Sequence, residues 1–549
     1  TGYNWRDNTW EIIVKYSGSL ESIRNRYNVY IKELLNYYAI IVADKAAIEL
    51  ISQEDVIDYV EKPKSLYYQI ERTKTAACVG SVRADGNILS GKGVIVGVID
   101  TGIDIFDNAF RNSDGTTRIL NIYDQTTGEK YDKQSIDEYI RLNEDLSGGT
   151  FSYDNAPGVD NIMHGTDVSY IAAGSLGVAY EADIIAVKMG YSINNQFPRT
   201  TSLMDAIDYI IRKAIEYRKP VAVNISYGCN YGAHNGNTLL ESFIDDISKS
   251  YRCVICVGSG NEADKAIHFG GIINTGQVQT AYLSVGEYQS AIDIQIWKNY
   301  WDTIDVMLIN PRGEQIGIIT EGRINRYETY NTEIITLLGE PSPYNIYQEI
   351  YINLIPKTDY ILSGIWQIVL MAGSIRAGEY NIWLPSSQAL GYATAFNNPT
   401  ADGTITIPAT ARNCIAVGAY NAYTNSYAAF SGRGFDNSIR NVNAGVKPDI
   451  TAPGVDISIA RQRGNDITYR NVTGTSYAVP VVTGAAALLM QWGIVMGNDR
   501  FMYGEKLKAA LINGSKPVGL VGITRNDNQP DPRTGWGAVC LKNTLNKIL

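Results

Sequence analysis

Histidine is scarce in this chain: 549 residues hold three, His164, His234 and His268. Any imidazole chemistry therefore has few candidate bases, and only His164 lies in a recognisable motif. Basic blocks are absent too. Lys and Arg number 47 against 57 Asp and Glu, giving a formal charge of -10. Phosphate binding needs clustered cations, so nucleic acid is excluded as a partner. No apolar run reaches about 18 residues, the length of a membrane helix, so no transmembrane segment is expected. No signal-like stretch is visible, although the chain begins at Thr1 rather than Met, which leaves a removed leader open. Cysteine is sparse and scattered, at Cys78, Cys229, Cys253, Cys256, Cys414 and Cys540. Cys253 and Cys256 form a C-x-x-C without a second pair, inside a strand-like run. Residues three apart on a strand point to opposite faces and would not chelate one metal. All six are read as buried free thiols.

What remains is ordinary globular composition, with 45% hydrophobic and 19% charged residues. At 100–200 residues per domain, the length predicts about three or four units. The 38 tyrosines are an unusual share and suit half-wet surfaces.

The stretch around which the chain is organised is Gly474-Thr475-Ser476-Tyr477-Ala478-Val479-Pro480. It runs into Val481–Met490, an apolar segment long enough for a buried helix. Ser476 then sits at a helix N-terminus, where backbone N–H groups lack partners and the dipole favours negative charge. Such a place suits a serine that must become a nucleophile beside an oxyanion. Pro480 is placed near the helix start, where a missing N–H costs least. Taken alone, Ser476 reads more readily as an N-cap. Upstream, Val94–Ile99 is a continuous apolar run suited to a buried parallel strand, with Asp100 at its carboxyl end, where open α/β sheets place their sites. His164-Gly165-Thr166-Asp167-Val168-Ser169 opens a helix-like segment. A second buried strand ends in Gly258-Ser259-Gly260-Asn261-Glu262, and a third in Ser226-Tyr227-Gly228.

These segments resemble the subtilisin-like serine proteases. The serine stretch has the form G-T-S-x-A-x-P, Val96–Asp104 resembles the aspartate motif, and His164–Ser169 the histidine motif, in the order Asp, His, Ser. One departure is Asp167, where the family usually has His or Arg. The resemblance implies a triad of Asp100, His164 and Ser476, an oxyanion amide from Asn261, and substrate-binding edges at Ser226, Tyr227, Gly228, Gly258, Ser259 and Gly260. It requires no organic cofactor. Calcium is common in the family, though no ligand loop here is diagnostic.

Residues 1–69 read as a β-α-β-α-β unit of ferredoxin-like type. This unit looks like a subtilisin propeptide, a folding chaperone and inhibitor, and self-cleavage is expected at Tyr67, Tyr68 or Gln69. Residues 70–278 and 399–549 read as the two parts of an α/β protease domain, a parallel sheet flanked by helices. Between them the pattern switches to period two, as in Ala291–Trp297 and Ile365–Met371, so 279–398 is predicted to be an inserted all-β sandwich of jelly-roll type. Propeptide, acidic chain and insertion together resemble the Csp germination proteases of endospore-forming bacteria. That implies a spore (cortex or coat) location and a protein substrate, the precursor of a cortex hydrolase, besides the enzyme's own cleaved propeptide. Two alternatives stay open: a secreted or surface gut-bacterial protease with another substrate, and an idle pseudoprotease-like scaffold.

Overall fold

The apolar run Val94–Ile99, predicted as a buried strand, forms the strand Ile95–Asp100 inside a nine-stranded sheet. The structure is a computed structural model and describes residues 3–4, 8–34, 37–61, 74–80, 82–84, 87–144, 156–190, 198–319, 324–435, 445–463, 466–519 and 529–549. The chain divides into two compact units, Thr1–Tyr68 and Gln69–Leu549.

In the larger unit the sheet runs Glu129–Asp132, Ile119–Asp124, Asp183–Lys188, Ile95–Asp100, Val221–Ile225, Cys253–Gly258 and Ile415–Asn421, and Ile450–Pro453 and Ser426–Tyr427 both pair with the last of these. All pairs are parallel except those made by Glu129–Asp132 and Ser426–Tyr427. Strand alternation splits the core in two. Val96 and Val98 pack with residues of the helices His164–Ala173 and Thr475–Met490, whereas Ile95 and Ile99 pack with Thr200–Tyr217 and Leu239–Ser250. Cys256 and Cys253 fall in these two separate clusters, as the opposite-face argument requires.

The helix Thr475–Met490 is buried along almost its whole length. With its continuation, Thr475–Val495 is 21 residues long and apolar enough to cross a membrane, so the expectation that no run is that long fails. Its apolar window is 89% buried inside the protein, which accounts for that composition as core packing.

Two antiparallel sheets follow the helix-rich first part. One runs His268–Ile272, Glu379–Trp383, Ile292–Asn299, Tyr347–Pro356, Thr332–Leu338, Ile324–Glu328, and the other Gln315–Ile318, Ile304–Ile309, Gly364–Ala372, Val278–Val285, Ala395–Phe396. Ile294, Ile352 and Ile382 of the first share one apolar core with Leu283, Val306 and Trp366 of the second. The layered region starts earlier than 279, because His268–Ile272 pairs with Glu379–Trp383. The sequence His-Phe-Gly-Gly-Ile carries no alternation that would have revealed that strand. Tyr231 OH donates to Asp293 Oδ2 at 3.0 Å and Gly232 N to Gln295 Oε1 at 2.8 Å, joining the sandwich to the loop beyond Val221–Ile225. Trp383 stacks between His234 and His268, with ring centroids 4.1 and 4.9 Å apart. The two histidines outside any motif are thus packing residues.

One cysteine expectation is corrected. Cys78 and Cys540 form a disulfide that closes 462 residues of sequence. Scattered positions gave no hint that residues so far apart in sequence would meet. The other four are free, three of them buried.

The smaller unit is an antiparallel sheet ordered Tyr3–Asn4, Thr9–Tyr16, Tyr38–Ala43, Tyr30–Leu34, with Ile57–Glu61 also on Thr9–Tyr16, and two helices, Glu21–Tyr27 and Lys45–Ile51. Apart from the short Tyr3–Asn4, the order is β-α-β-β-α-β, one strand more than predicted. The extra strand, Tyr30–Leu34, lies at the sheet edge with Ile31 buried and Tyr30, Lys32 and Glu33 exposed, so its pattern lacks a repeating apolar face.

Candidate active site

Asp100 ends its strand with a side chain 1% exposed. Its Oδ1 lies 2.6 Å from His164 Nδ1 and accepts Thr101 N at 2.8 Å. His164 is the first residue of its helix and follows Met163, which adopts a left-handed conformation at φ 66°. Gly165 permits the close approach of this helix to the aspartate loop. A Cβ there would lie 2.3 Å from Gly102 O and 2.9 Å from Asp100 Cβ. Buried Asp160 ties the two segments together. One oxygen accepts Thr101 Oγ1 at 2.8 Å and Met163 N at 2.7 Å, and the other accepts Thr166 N at 2.8 Å and Thr166 Oγ1 at 2.7 Å. Burial alone would lower the His164 pKa. The charge and hydrogen bond of Asp100, with Asp160 and Asp167 behind, outweigh it and raise the imidazole above its ordinary value.

Ser476 is the second residue of its helix and partly exposed. Gly474 before it has φ +153°, which side-chain-bearing residues rarely adopt. The helix packs in the same core as the His164 helix, and the Tyr477 ring centroid is 5.2 Å from that of His164. Pro480 lies deeper in the helix than predicted. It therefore removes a real intrahelical donor, the one that would have served Ser476 O. Ser226 Oγ approaches that carbonyl at 3.4 Å and replaces part of the loss.

Asn261 is held by the turn that precedes Ser476. Its Oδ1 accepts Thr475 N at 2.9 Å and Thr475 Oγ1 at 3.1 Å. A backbone N–H can only donate, so the amide oxygen must face it, and Nδ2 is left to donate elsewhere. Nδ2 lies 3.5 Å from where a Cβ on Gly474 would be.

Of the expected substrate edges, Ser226, Tyr227 and Gly228 continue Val221–Ile225 at the same end of the sheet as Asp100 and are at least partly exposed. Gly258 and Gly260 bracket the end of the neighbouring strand. Ser259 is different: it is fully buried, with Oγ 3.3 Å from Ser431 Oγ, so its side chain supports the loop instead of facing a ligand. Tyr67, Tyr68 and Gln69 lie outside the described residues.

Asp167, the departure from the family pattern, is fully buried and meets two arginines. Arg461 Nε donates to its Oδ1 at 3.0 Å, and Arg470 Nη2 lies 2.8 Å from Oδ2. Burial pushes this carboxyl up and Arg461 and Arg470 oppose the shift. Sequence reasoning missed Asp160, Arg461 and Arg470 altogether; the one hint was the acidic residue at 167. The acidic side chains around His164 do not fit calcium, because Asp104 and Asp167 are paired with arginines and Asp160 accepts four protein donors. Among the described residues no group of three or more His, Cys, Asp or Glu could hold a metal ion.

Comparison with known proteins follows these contours. The subtilase family profile matches residues 91–341 and 377–537, and the Csp protease B prodomain profile matches residues 1–64. The break in the first match falls within the sandwich. The solved structure of the Clostridium perfringens CspB protease is similar at 34% identity and a TM-score of 0.78, covering 86% of this chain and 96% of that one. The curated subtilase-type proteinase RRT12 of Saccharomyces cerevisiae is 33% identical over 128 residues, 23% of either chain. Subtilisin-like protease 10 of Arthroderma otae is 34% identical over 120 residues, 22% of this chain and 27% of that one. The chain thus spans about a quarter of the length of these two curated relatives.

Proposed function

The chain belongs to the subtilase family, a serine endopeptidase with a Csp-type prodomain, and on that premise we propose that Asp100, His164 and Ser476 are its catalytic triad. The observation that carries the assignment is the 2.6 Å pair of Asp100 Oδ1 and His164 Nδ1, next to the helix whose second residue is Ser476. With Nδ1–H directed at Asp100, Nε2 is the basic nitrogen. His164 takes the Ser476 proton as Oγ attacks the scissile carbonyl, then returns it to the leaving amine, while Asp100 stabilises the imidazolium between the two transfers. Asn261 Nδ2 and the backbone N–H of Ser476 donate to the oxyanion. An extended peptide pairs with the edges at Ser226–Gly228 and Gly258–Gly260 through main-chain bonds. These steps use protein groups alone; no organic cofactor enters them.

The substrates are proteins, the enzyme's own propeptide among them. Self-cleavage at Tyr67, Tyr68 or Gln69 is supported by the prodomain match ending at 64 and by the division of the chain between Tyr68 and Gln69. The similarity to CspB and its prodomain favours a Csp-like role. In that role the enzyme activates the precursor of a cortex hydrolase during germination, in the cortex or coat region of the spore. Ser476→Ala should abolish peptide hydrolysis, fluorophosphonate labelling and self-cleavage, with a rate loss of several orders of magnitude. N-terminal sequencing of the wild-type large fragment should give a start between Tyr68 and Ile70. Hydrolysis or cutting that persists in the alanine variant would remove Ser476 from the mechanism.

A further inference from the structure

The segment that delivers the nucleophile is itself bolted to the base. Ile457–Arg463 and Asp466–Val472 form an antiparallel hairpin, in which Arg461 faces Thr468 and Ile459 faces Arg470. After Thr473 the chain enters Gly474-Thr475-Ser476. Arg461 reaches from this hairpin across to the His164 helix and grips it at two points. Its Nη2 donates to Met163 O at 2.9 Å, the carbonyl immediately before His164, which also accepts Asp167 N. Its Nε donates to Asp167 Oδ1 at 3.0 Å, one turn after His164. Arg470, on the other strand, takes the second oxygen of the same carboxylate at 2.8 Å. A planar guanidinium can make two directed bonds at once in a way that an ammonium cannot.

The partners are poorly placed for a merely solvated ion pair. Asp167 is fully buried and the Arg461 side chain only 13% exposed. Removing either partner would strand a buried charge. Arg463, on the same hairpin, offers an internal comparison. It pairs with Asp104 Oδ2, with Nε at 2.7 Å, and its side chain is 46% exposed. It carries the same charge on the same strand, and Asp104 lies on the loop after Asp100.

We propose that Arg461 is a positioning residue for proton transfer, clamping the first turn of the His164 helix to the hairpin that precedes Ser476. Arg470 holds the far side of the Asp167 carboxylate. The bonds described for the clamp go to Met163 and Asp167 of the histidine segment, so its effect is expected on the chemical step. Asp at 167 follows from the same geometry, because a His or Arg there would confront two arginines. This assignment rests on the triad described above, and labelling of wild type but not Ser476→Ala tests that premise separately.

The experiment compares Arg461→Gln, Arg461→Lys and Arg463→Gln in the full chain, with rates expressed per fluorophosphonate-titrated site. R461Q should lower kcat by on the order of tenfold to a hundredfold, as small misplacements of reacting groups do. Its KM should change by less than about threefold, because ground-state binding is untouched. R461K keeps the charge but loses the fork, and should recover part of that kcat. R463Q should keep kcat within about threefold, because the Arg463 side chain is half-exposed and its ion pair is with the loop residue Asp104. Equal losses in R461Q and R463Q, or a loss confined to KM, would overturn the proposal. If R461Q does not fold, R461K decides the matter: a kcat indistinguishable from wild type overturns the clamp, and a partial loss at unchanged KM supports it.

Discussion

In the proposed mechanism Asn261 performs two tasks with one side chain, and two substitutions separate them. Oδ1 accepts from Thr475 N at 2.9 Å and from Thr475 Oγ1 at 3.1 Å, while Nδ2 is left for the oxyanion. Thr475 is 2% exposed, so a variant without the acceptor leaves a buried N–H unpaired. That costs about 1–3 kcal/mol of stability. Loss of one oxyanion donor raised the barrier in a subtilisin by about 2.7–4 kcal/mol, roughly a hundredfold to a thousandfold in kcat. Asn261→Ala removes both groups and should show both effects. Asn261→Asp keeps an acceptor for Thr475 and removes only the donor. It also places a negative charge beside the developing oxyanion, so its kcat should fall at least as far as that of the alanine variant. Its stability should nevertheless stay near wild type. The assay is kcat and KM on a chromogenic peptide at pH 8, where the new carboxylate is ionised, together with thermal denaturation of each variant. KM should be nearly constant throughout, because the donor acts in the transition state. An aspartate variant that keeps kcat within about tenfold would refute the oxyanion role, given the range measured for such donors. Equal destabilisation of the two variants would refute the assigned amide orientation.

Two further outcomes follow from the same geometry. The His164 pKa is raised in the folded enzyme and the base must be neutral, so kcat/KM should fall with decreasing pH through a midpoint above the ordinary imidazole value of about 6.5. A midpoint at or below that value, measured in free enzyme with a peptide substrate, would contradict the dominance of Asp100 over burial. The Cys78–Cys540 disulfide ties the start of the larger unit to the last helix, Leu541–Ile548. Its removal by Cys78→Ser with Cys540→Ser should destabilise the enzyme by about 2–5 kcal/mol, visible as a shorter half-life on heating; an unchanged half-life would show that the link constrains nothing.

The protease core was legible because its signals are local. Val94–Ile99 is a run that only a buried strand accommodates, and Asp100 follows it directly. Gly474 and Gly165 record, in single residues, an unusual backbone angle and a close approach. The sandwich was legible where its strands alternate, as in Ile292–Asn299, and illegible where they do not. His268–Ile272 holds two glycines, and among the described side chains of Tyr30–Leu34 in the smaller unit one, Ile31, is buried. Pairing across 462 residues, as in Cys78–Cys540, leaves no trace in spacing.

The active site divides along the same line. Residues that do chemistry carry motifs, because backbone conformation and neighbours must suit one reactive group. Residues that hold them in place carry none, since a carboxylate or guanidinium can arrive from any segment the fold brings near. Asp160 is indistinguishable in sequence from the other acids of its loop, yet it gathers four donors from Thr101, Met163 and Thr166. Arg461 lies in a polar hairpin with nothing to set it apart from Arg463. The trace that survives is a mismatch: Asp167 stands where a basic residue or histidine was expected. A buried carboxylate of that kind demands a cation, and the position of the departure on the His164 helix states where that cation must act. A departure from a motif one turn from His164 is therefore a constraint on a partner elsewhere in the chain, and here that constraint leads to the hairpin that precedes Ser476.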